Sequence, residues 1–475
     1  MKVIKVDFCI IGAGSGGLSF AAGAVQMGAS VVVVERSKMG GDCLNYGCVP
    51  SKSLIAAAKV GHDLQTSSKL GWNVTKSSVD FKKVHEHVHN VIKAIAPNDS
   101  VERFEGLGAK VIAEEGKFID PQTLETSNYQ IKAKRFIIAT GSSPGIPPIK
   151  GLETVNYLTN ESVFDLKELP TQLVIIGGGP IGIEMAQAFH RLGSKVTVLE
   201  AFTALPKDDQ DIVSQLKNIL ANEGIDIKEN VKIESVTQKG KKIKIECMDK
   251  DNKAKIIEAS HLLVAAGRKP NIQALNLDAA NVKYSPRGIE VDACLRTSNP
   301  RIYAIGDCTG GYQFTHVAGY HAGLAIRNSI FRLGAKVQTN AIPWVTYTDP
   351  ELAHVGYNEM QLKQKNIKYK VLNVPFSDND RAQTENKAQG QIKVLVTPNG
   401  KVLGATILGY RAGELIFPWV MAIQNKLKIS AIANSIAPYP TFSDINKRVA
   451  GSFYTDKIFS LMMKKVVKFI MNWTK

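Results

Sequence analysis

Residues 3–35 read VIKVDFCIIGAGSGGLSFAAGAVQMGASVVVVE, and residues 173–200 read LVIIGGGPIGIEMAQAFHRLGSKVTVLE. In each, a short run rich in Val and Ile stops on glycine, as a buried β-strand does. A glycine-rich turn, a helical stretch and a second apolar strand closed by an acid follow. Gly12, Gly14 and Gly17 hold the three glycine positions of the first copy, and Gly177, Gly179 and Gly182 those of the second. Glu35 and Glu200 each stand 23 residues after their first glycine. A single G-x-G-x-x-G is weak evidence, because glycine turns are common. Two in matched register, each between strand and helix, predict two βαβ dinucleotide folds in one chain. The first glycine makes the tight turn, the second admits a pyrophosphate and the third lets helix and strand pack closely. The helix N-terminus faces the phosphate charge, and the acid accepts hydrogen bonds from a ribose diol.

Composition sets the frame around these units. The chain has 475 residues, 44% apolar, 7% aromatic and 21% charged, which is the make-up of a soluble multidomain protein. It excludes a mainly disordered, collagen-like or disulfide-scaffold chain. No run of ~18 apolar residues is present, so no membrane-spanning helix is predicted. The net charge of +16 leaves nucleic acid, an anionic membrane or an acidic partner to be weighed, alongside a merely Lys-rich proteome. No nucleic-acid recognition motif or aromatic-interleaved basic patch supports the first, so no nucleic acid partner is expected. The N-terminus MKVIKVDFCIIGAG lacks the features of a signal peptide, and the expected address is cytoplasmic. Pro147, Pro148 and Gly151 mark a boundary. The expected domains are 1–150 with a second part at 271–342, then 151–270, then 343–454, with a basic tail at 455–475.

The segment GGDCLNYGCVPSK (40–52) places Cys43 and Cys48 five apart, with Lys52 four beyond Cys48. A helix beginning near Cys43 would set Cys48 and Lys52 on one face. A helix start and a nearby cation both favour a thiolate, so the pair is read as redox-active. Half of a zinc site or two buried cysteines are the competing readings, but zinc needs four ligands and no second pair at metal spacing lies nearby. His85, His87 and His89 alternate, which scatters them around a helix, and no metal site is assigned. Cys9, Cys247, Cys294 and Cys308 are read as small apolar core residues.

Six segments together resemble the class I flavoprotein disulfide reductases, the family of dihydrolipoamide dehydrogenase, glutathione reductase and mercuric reductase. They are GAGSGG with Glu35, GGDCLNYGCVPSK, ATG (139–141), GGGPIG with Glu184 and Glu200, GRKPN (267–271) and TSNPRIYAIGD (297–307). The resemblance covers nearly the whole chain. It implies an α/β fold of two Rossmann-like domains, for FAD and NAD(P), plus a C-terminal α+β dimerisation domain in a homodimer. FAD is expected on Gly12, Gly14, Gly17, Gly41, Thr140, Gly141 and Gly306, with Glu35 on its ribose and Asp307 near the ribityl chain and pyrophosphate. The nicotinamide nucleotide is expected on Gly177, Gly179, Gly182 and Glu200, with Gly267 also at the cofactors. By the same resemblance Lys52 reaches the flavin edge and pairs with Glu184. Cys48 is the charge-transfer thiolate and Cys43 the interchange thiol. A carboxylate at Glu200 repels a 2′-phosphate, which favours NADH over NADPH.

The chain departs from the family near its C-terminus. Where disulfide-reducing members carry His-Pro-Thr and a following acid, it has Pro438-Tyr439-Pro440-Thr441-Phe442-Ser443-Asp444. A phenol of pKa ~10 donates a proton but is a poor base at neutral pH. Tyr439 with Asp444 is therefore either a catalytic acid or packing at the dimer interface. The tyrosine and AQAFHRLGSKVTVL resemble mercuric reductase, yet no C-terminal cysteine pair follows Cys308 and no N-terminal metal-binding module precedes the first unit. The expected path is nicotinamide nucleotide to FAD, to a Cys43–Cys48 disulfide, to a thiol/disulfide or metal-ion acceptor. Dihydrolipoamide dehydrogenase, or a membrane-surface NADH dehydrogenase reducing quinone, are the alternatives. From Ile445 onward seven basic residues face Asp456 alone. A helix there sets Ile458, Met462, Val466, Phe469, Ile470 and Trp473 on one side and Lys464, Lys465, Lys468 and Lys475 on the other. Such a helix either rests on an anionic membrane at its inner face or packs on its own domain or the dimer partner.

Overall fold

The first apolar run forms β1 (Lys2–Ile11), followed by α1 (Ser15–Gln26) and β2 (Val31–Val34), in a computed structural model that describes residues 1–74 and 78–473. All four valines of β2 are buried, as expected of a parallel strand covered on both faces. β1 pairs in parallel with β2, Phe8 opposite Val31, and on its other side with β3 (Tyr129–Ile138). Seven strands make this sheet. Ile302–Ala304 returns from much later in the chain to pair with β3 in parallel.

The second copy gives β4 (Gln172–Ile176), a long helix at Pro180–Arg191 and β5 (Lys195–Leu199). Its four strands are all parallel, with Asp226–Lys228 and His261–Val264 on the outer edges. A three-stranded antiparallel sheet spanning 232–259 lies beside it. The C-terminal region opens on β6 (Pro343–Thr346), the edge of a five-stranded antiparallel sheet. Its core closes on Phe376, Trp419 and Ile445, all fully buried. The Trp419 indole donates to Asn446 Oδ1 at 2.7 Å.

Three helical expectations are corrected. The helix predicted from Cys43 is two helices, α2 (Gly41–Asn45) and α3 (Cys48–Thr66). Gly47 turns the chain between them with ψ −115°, far from helical values, and Cys48 becomes the first residue of α3. The remaining helices used below are α4 (Pro180–Arg191), α5 (Thr315–Ser329), α6 (Asp444–Ile458) and α7 (Leu461–Trp473). The tail is thus not one helix either. A break at Phe459 and Ser460 leaves Ile458 on α6 and Met462 on α7. Lys475 lies outside the described residues. The three alternating histidines are also not fully scattered, since His85 and His89 are one turn apart and their rings lie 4.2 Å from each other. Among the described residues no helix is long and apolar enough to cross a membrane.

Candidate active site

The two glycine turns share the same backbone geometry at their first and third glycines. Gly12 (φ +105°) and Gly177 (φ +112°) adopt a left-handed backbone, and a Cβ on either would come 2.4 Å from the carbonyl oxygen of Ala139 or Ala265. A Cβ on Gly17 or Gly182 would lie 1.9 or 2.0 Å from the carbonyl oxygen of Gly12 or Gly177. Gly14 and Gly179 cap α1 and α4 with no side-chain hydrogen bond, so the first N–H groups of both helices are left for an anion. A Cβ on Gly179 would meet nothing within 4 Å. On Gly14 it would meet only Gly41 Cα, at 3.9 Å, while Gly41 (φ +60°) itself lies against Gly14. The acids are fixed alike. Glu35 accepts from the backbone N–H of Ala13 and Ser37, each at 2.7 Å. Glu200 accepts from Gly178 at 2.6 Å and Phe202 at 2.9 Å.

One cavity of about 1280 Å³ joins both turns to Glu35, Glu200, Cys43, Cys48, Lys52 and Glu184. Its volume, the bare glycine edges and the two uncapped helix starts fit a pair of dinucleotides meeting end to end. Thr140, Gly141, Gly267, Gly306 and Asp307 line the same space. Thr140 Oγ1 donates to the Asn271 carbonyl at 2.7 Å, and the Gly306 N–H donates to His321 Nδ1 at 3.2 Å. Burial raises the Asp307 carboxyl above its ordinary range, against a 2.6 Å hydrogen bond from Ser142 and the Arg268 guanidinium 3.9 Å away. Arg268 also donates to Ser142 Oγ at 2.7 Å and lies 3.2 Å from Asp42, the residue before Cys43. It therefore ties the cysteine loop to Asp307.

The sulfurs sit where α3 begins. Lys52, one turn on from Cys48, pairs with Glu184 of α4 at 2.9 Å and stands 4.3 Å over the Tyr347 ring. The Tyr347 N–H donates to the other oxygen of Glu184 at 2.9 Å, so both carboxylate oxygens are used. The Cys48 thiol is brought down to about 6. The hydrogen bond from Cys43 is the main cause, and Thr315 and the Lys52 charge add to it against burial and Glu184. Cys48 Sγ is 3.5 Å from Thr315 Oγ1. The Cys43 thiol moves the other way, pushed up by that shared hydrogen bond and by burial. One sulfur ionises early and the other holds its proton. Burial works against the Lys52 ammonium, but Glu184 outweighs it and the group stays charged above its ordinary range.

Tyr439 and Asp444 are not brought to the cysteines within one chain. Tyr439 is 74% exposed, and its hydroxyl donates to Asp380 Oδ2 at 2.9 Å. Asp444 starts α6, and neither residue lines the cavity. Among the described residues His316 is the one histidine in the cavity wall, its Nε2 donating to the Pro343 carbonyl at 2.9 Å. Thr315, Tyr347 and Asp42 were missed by sequence reasoning. Thr315 and Tyr347 carry no motif, and only the fold brings them to Cys48 and Lys52. Arg268 stands inside GRKPN, where only the glycine was singled out. Cys9, Cys247, Cys294 and Cys308 are buried, as expected of core residues.

Comparison with known proteins shows the family. Residues 6–322 match the pyridine nucleotide-disulphide oxidoreductase family, and residues 342–450 match its dimerisation domain. Mercuric reductase of Bacillus cereus is 38% identical over 95% of this chain and 72% of its own length. Dihydrolipoyl dehydrogenase of Geobacillus stearothermophilus is 34% identical over 94% of this chain and 96% of its own. The solved Cu(II) complex of the HOCl-induced flavoprotein disulfide reductase RclA from Escherichia coli superposes with a TM-score of 0.84 at 27% identity, covering 94% of this chain and 99% of that one. The chain therefore belongs to the pyridine nucleotide-disulphide oxidoreductases, and it is an FAD-dependent enzyme of that family.

Proposed function

We propose that this enzyme takes electrons from NADH by way of FAD into a Cys43–Cys48 disulfide, and passes them to a thiol/disulfide or metal-ion acceptor in the manner of a mercuric reductase. The observation that carries this reading is the early-ionising Cys48 at a helix start, beside the Lys52–Glu184 pair, in the cavity that both nucleotide turns share. FAD, when bound, supplies a two-electron carrier between nicotinamide and dithiol. Gly12, Gly14, Gly17, Gly41, Thr140, Gly141, Gly306 and Asp307 would hold it, with Glu35 on its ribose. Gly177, Gly179, Gly182, Glu200 and Gly267 would hold the nucleotide. Two backbone N–H groups fix the Glu200 carboxylate, and a 2′-phosphate there would meet like charge, which supports NADH over NADPH.

Lys52 holds the Cys48 thiolate by charge, and Glu184 holds Lys52. Cys43, still protonated, is the thiol that meets the acceptor. When the Cys43–Cys48 bond forms, the dithiol gives up two electrons, and an acceptor disulfide or metal ion takes them. Tyr439, whose hydroxyl donates to Asp380, would together with Asp444 offer a proton to the site of a second copy in a homodimer. In this reading the enzyme would work in the cytoplasm, with peripheral contact to an anionic membrane through its basic C-terminal tail.

The test is an NADH-driven screen of lipoamide, glutathione disulfide, Hg(II) and quinones on wild-type and Cys43→Ser holoenzyme. Turnover of a disulfide or Hg(II) that vanishes in Cys43→Ser while flavin stays bound supports the reading. Quinone reduction alone, equal in both proteins, overturns it in favour of a membrane-surface NADH dehydrogenase.

A further inference from the structure

We infer that α7 is a peripheral anchor, a basic amphipathic helix that lies along the headgroup boundary of an anionic lipid bilayer. This rests on the membrane contact proposed above and specifies what makes it. Every residue of Leu461–Trp473 is exposed, although most of them are apolar. Met462, Phe469 and Trp473 are 75%, 67% and 84% exposed. At 3.6 residues per turn, Lys464, Lys465, Lys468 and Asn472 fall within an arc of about 100°, and the large apolar side chains fill most of the rest. No acid interrupts this helix.

Three features choose lipid as the occupant. The match to the family's dimerisation domain ends at residue 450, so α7 lies beyond the part of the fold shared for dimer formation. The break at Phe459 and Ser460 carries α7 off the end of α6, and none of its residues is buried against the C-terminal domain. Finally, every charged side chain of the helix is a lysine, in a chain whose net charge is +16. A protein groove would need only the apolar face. A lysine-rich edge beside that face, on a helix that ends in a tryptophan, matches a negatively charged headgroup layer over acyl chains. A homodimer would present two such helices, and the second would bind at high effective concentration once the first is seated.

The experiment is flotation of the full-length holoenzyme with vesicles of pure phosphatidylcholine and of phosphatidylcholine mixed with phosphatidylglycerol. The wild type is expected to float with the mixed vesicles, and to be released by high salt. Neutralising Lys464, Lys465 and Lys468 to Gln should weaken binding by about 100-fold, from roughly 1 kcal/mol for each lysine. Phe469→Glu should abolish flotation while leaving NADH-driven turnover of soluble acceptors unchanged. Equal flotation with neutral vesicles, or none with anionic ones, overturns the anchor. So does a solution mass that falls in Phe469→Glu with no wild-type flotation, since a second copy would then cover α7. Flotation that persists in a protein unable to reduce any disulfide or Hg(II) would defeat the reductase reading and leave the anchor standing.

Discussion

The two dinucleotide units share their turns and differ in what their helices face. In both, the first glycine is left-handed, the third packs on the first and the acid accepts two backbone N–H groups. Their helices then part. α1 carries an exposed Ser19 where α4, at the same place in the repeat, carries the buried Glu184. α1 packs on α5, with Gly23 so close to Ile326 that a Cβ would come 2.5 Å from its side chain. α4 is enclosed from Gly182 to Phe189, between α3 and β6, and ends in the buried Arg191. Arg191 binds Glu223 at 2.8 Å and Asp349 at 2.9 Å, locking the second unit to the turn after β6. A glycine turn of this kind depends on its own backbone, and so its geometry recurs in both copies. The helix behind it is free to change with its neighbours, and in the second copy it reaches across to the cysteine helix.

The largest expected effects come from breaking either turn. Gly17→Ala and Gly182→Ala each push a Cβ to about 2 Å from a backbone oxygen, and each should cost about 3 kcal/mol of stability. They should separate the cofactors: Gly17→Ala purifies with little flavin, while Gly182→Ala keeps its yellow colour and loses reduction by NADH. Thermal unfolding and visible absorbance report both.

The helix positions should then diverge. Glu184→Gln strands Lys52 and should cost about 2 kcal/mol, allowing for the partly solvated lysine. Ser19→Ala, exposed, should stay within about 0.5 kcal/mol by the same unfolding assay. The acids come next. Glu200→Ala leaves two N–H groups unpaired and should raise the KM for NADH about tenfold, narrowing its advantage over NADPH. Glu35→Ala should instead weaken flavin retention at unchanged nucleotide preference. Smallest in stability is Tyr439→Phe, which should leave the Tm in place. In turnover it should slow acceptor reduction about tenfold while stopped-flow reduction by NADH is unchanged.

The strands, glycines and closing acids were legible because each obeys a local rule, such as apolar runs, backbone clearance or a fixed spacing from the first glycine. Cys48 and Lys52 were legible for the same reason, since four residues on one helix place them together. The break at Gly47 was not, because one glycine inside a helical pattern is tolerated and only its backbone angles reveal the turn. Thr315 and Tyr347 reach the site from 267 and 295 positions beyond Cys48 and Lys52, and no sequence period records such a meeting. The contact of Arg268 with Asp42 has the same origin. The unpacked α7 shows the converse case, since its amphipathic pattern was plain but its separation from α6 depended on a two-residue break.

The central claim is that Cys48 ionises early because Cys43, Thr315 and Lys52 hold its charge. The direct measurement is a pH titration of the long-wavelength absorbance of the two-electron-reduced holoenzyme, which reports a thiolate lying against bound flavin. The group's pKa is depressed, so the signal should be full well above pH 6 and fade as pH falls through about 6. The midpoint should rise in Lys52→Met, fall in Glu184→Gln and disappear with the band in Cys48→Ser. A midpoint near the unperturbed 9.0, or a band that survives in Cys48→Ser, would contradict the account.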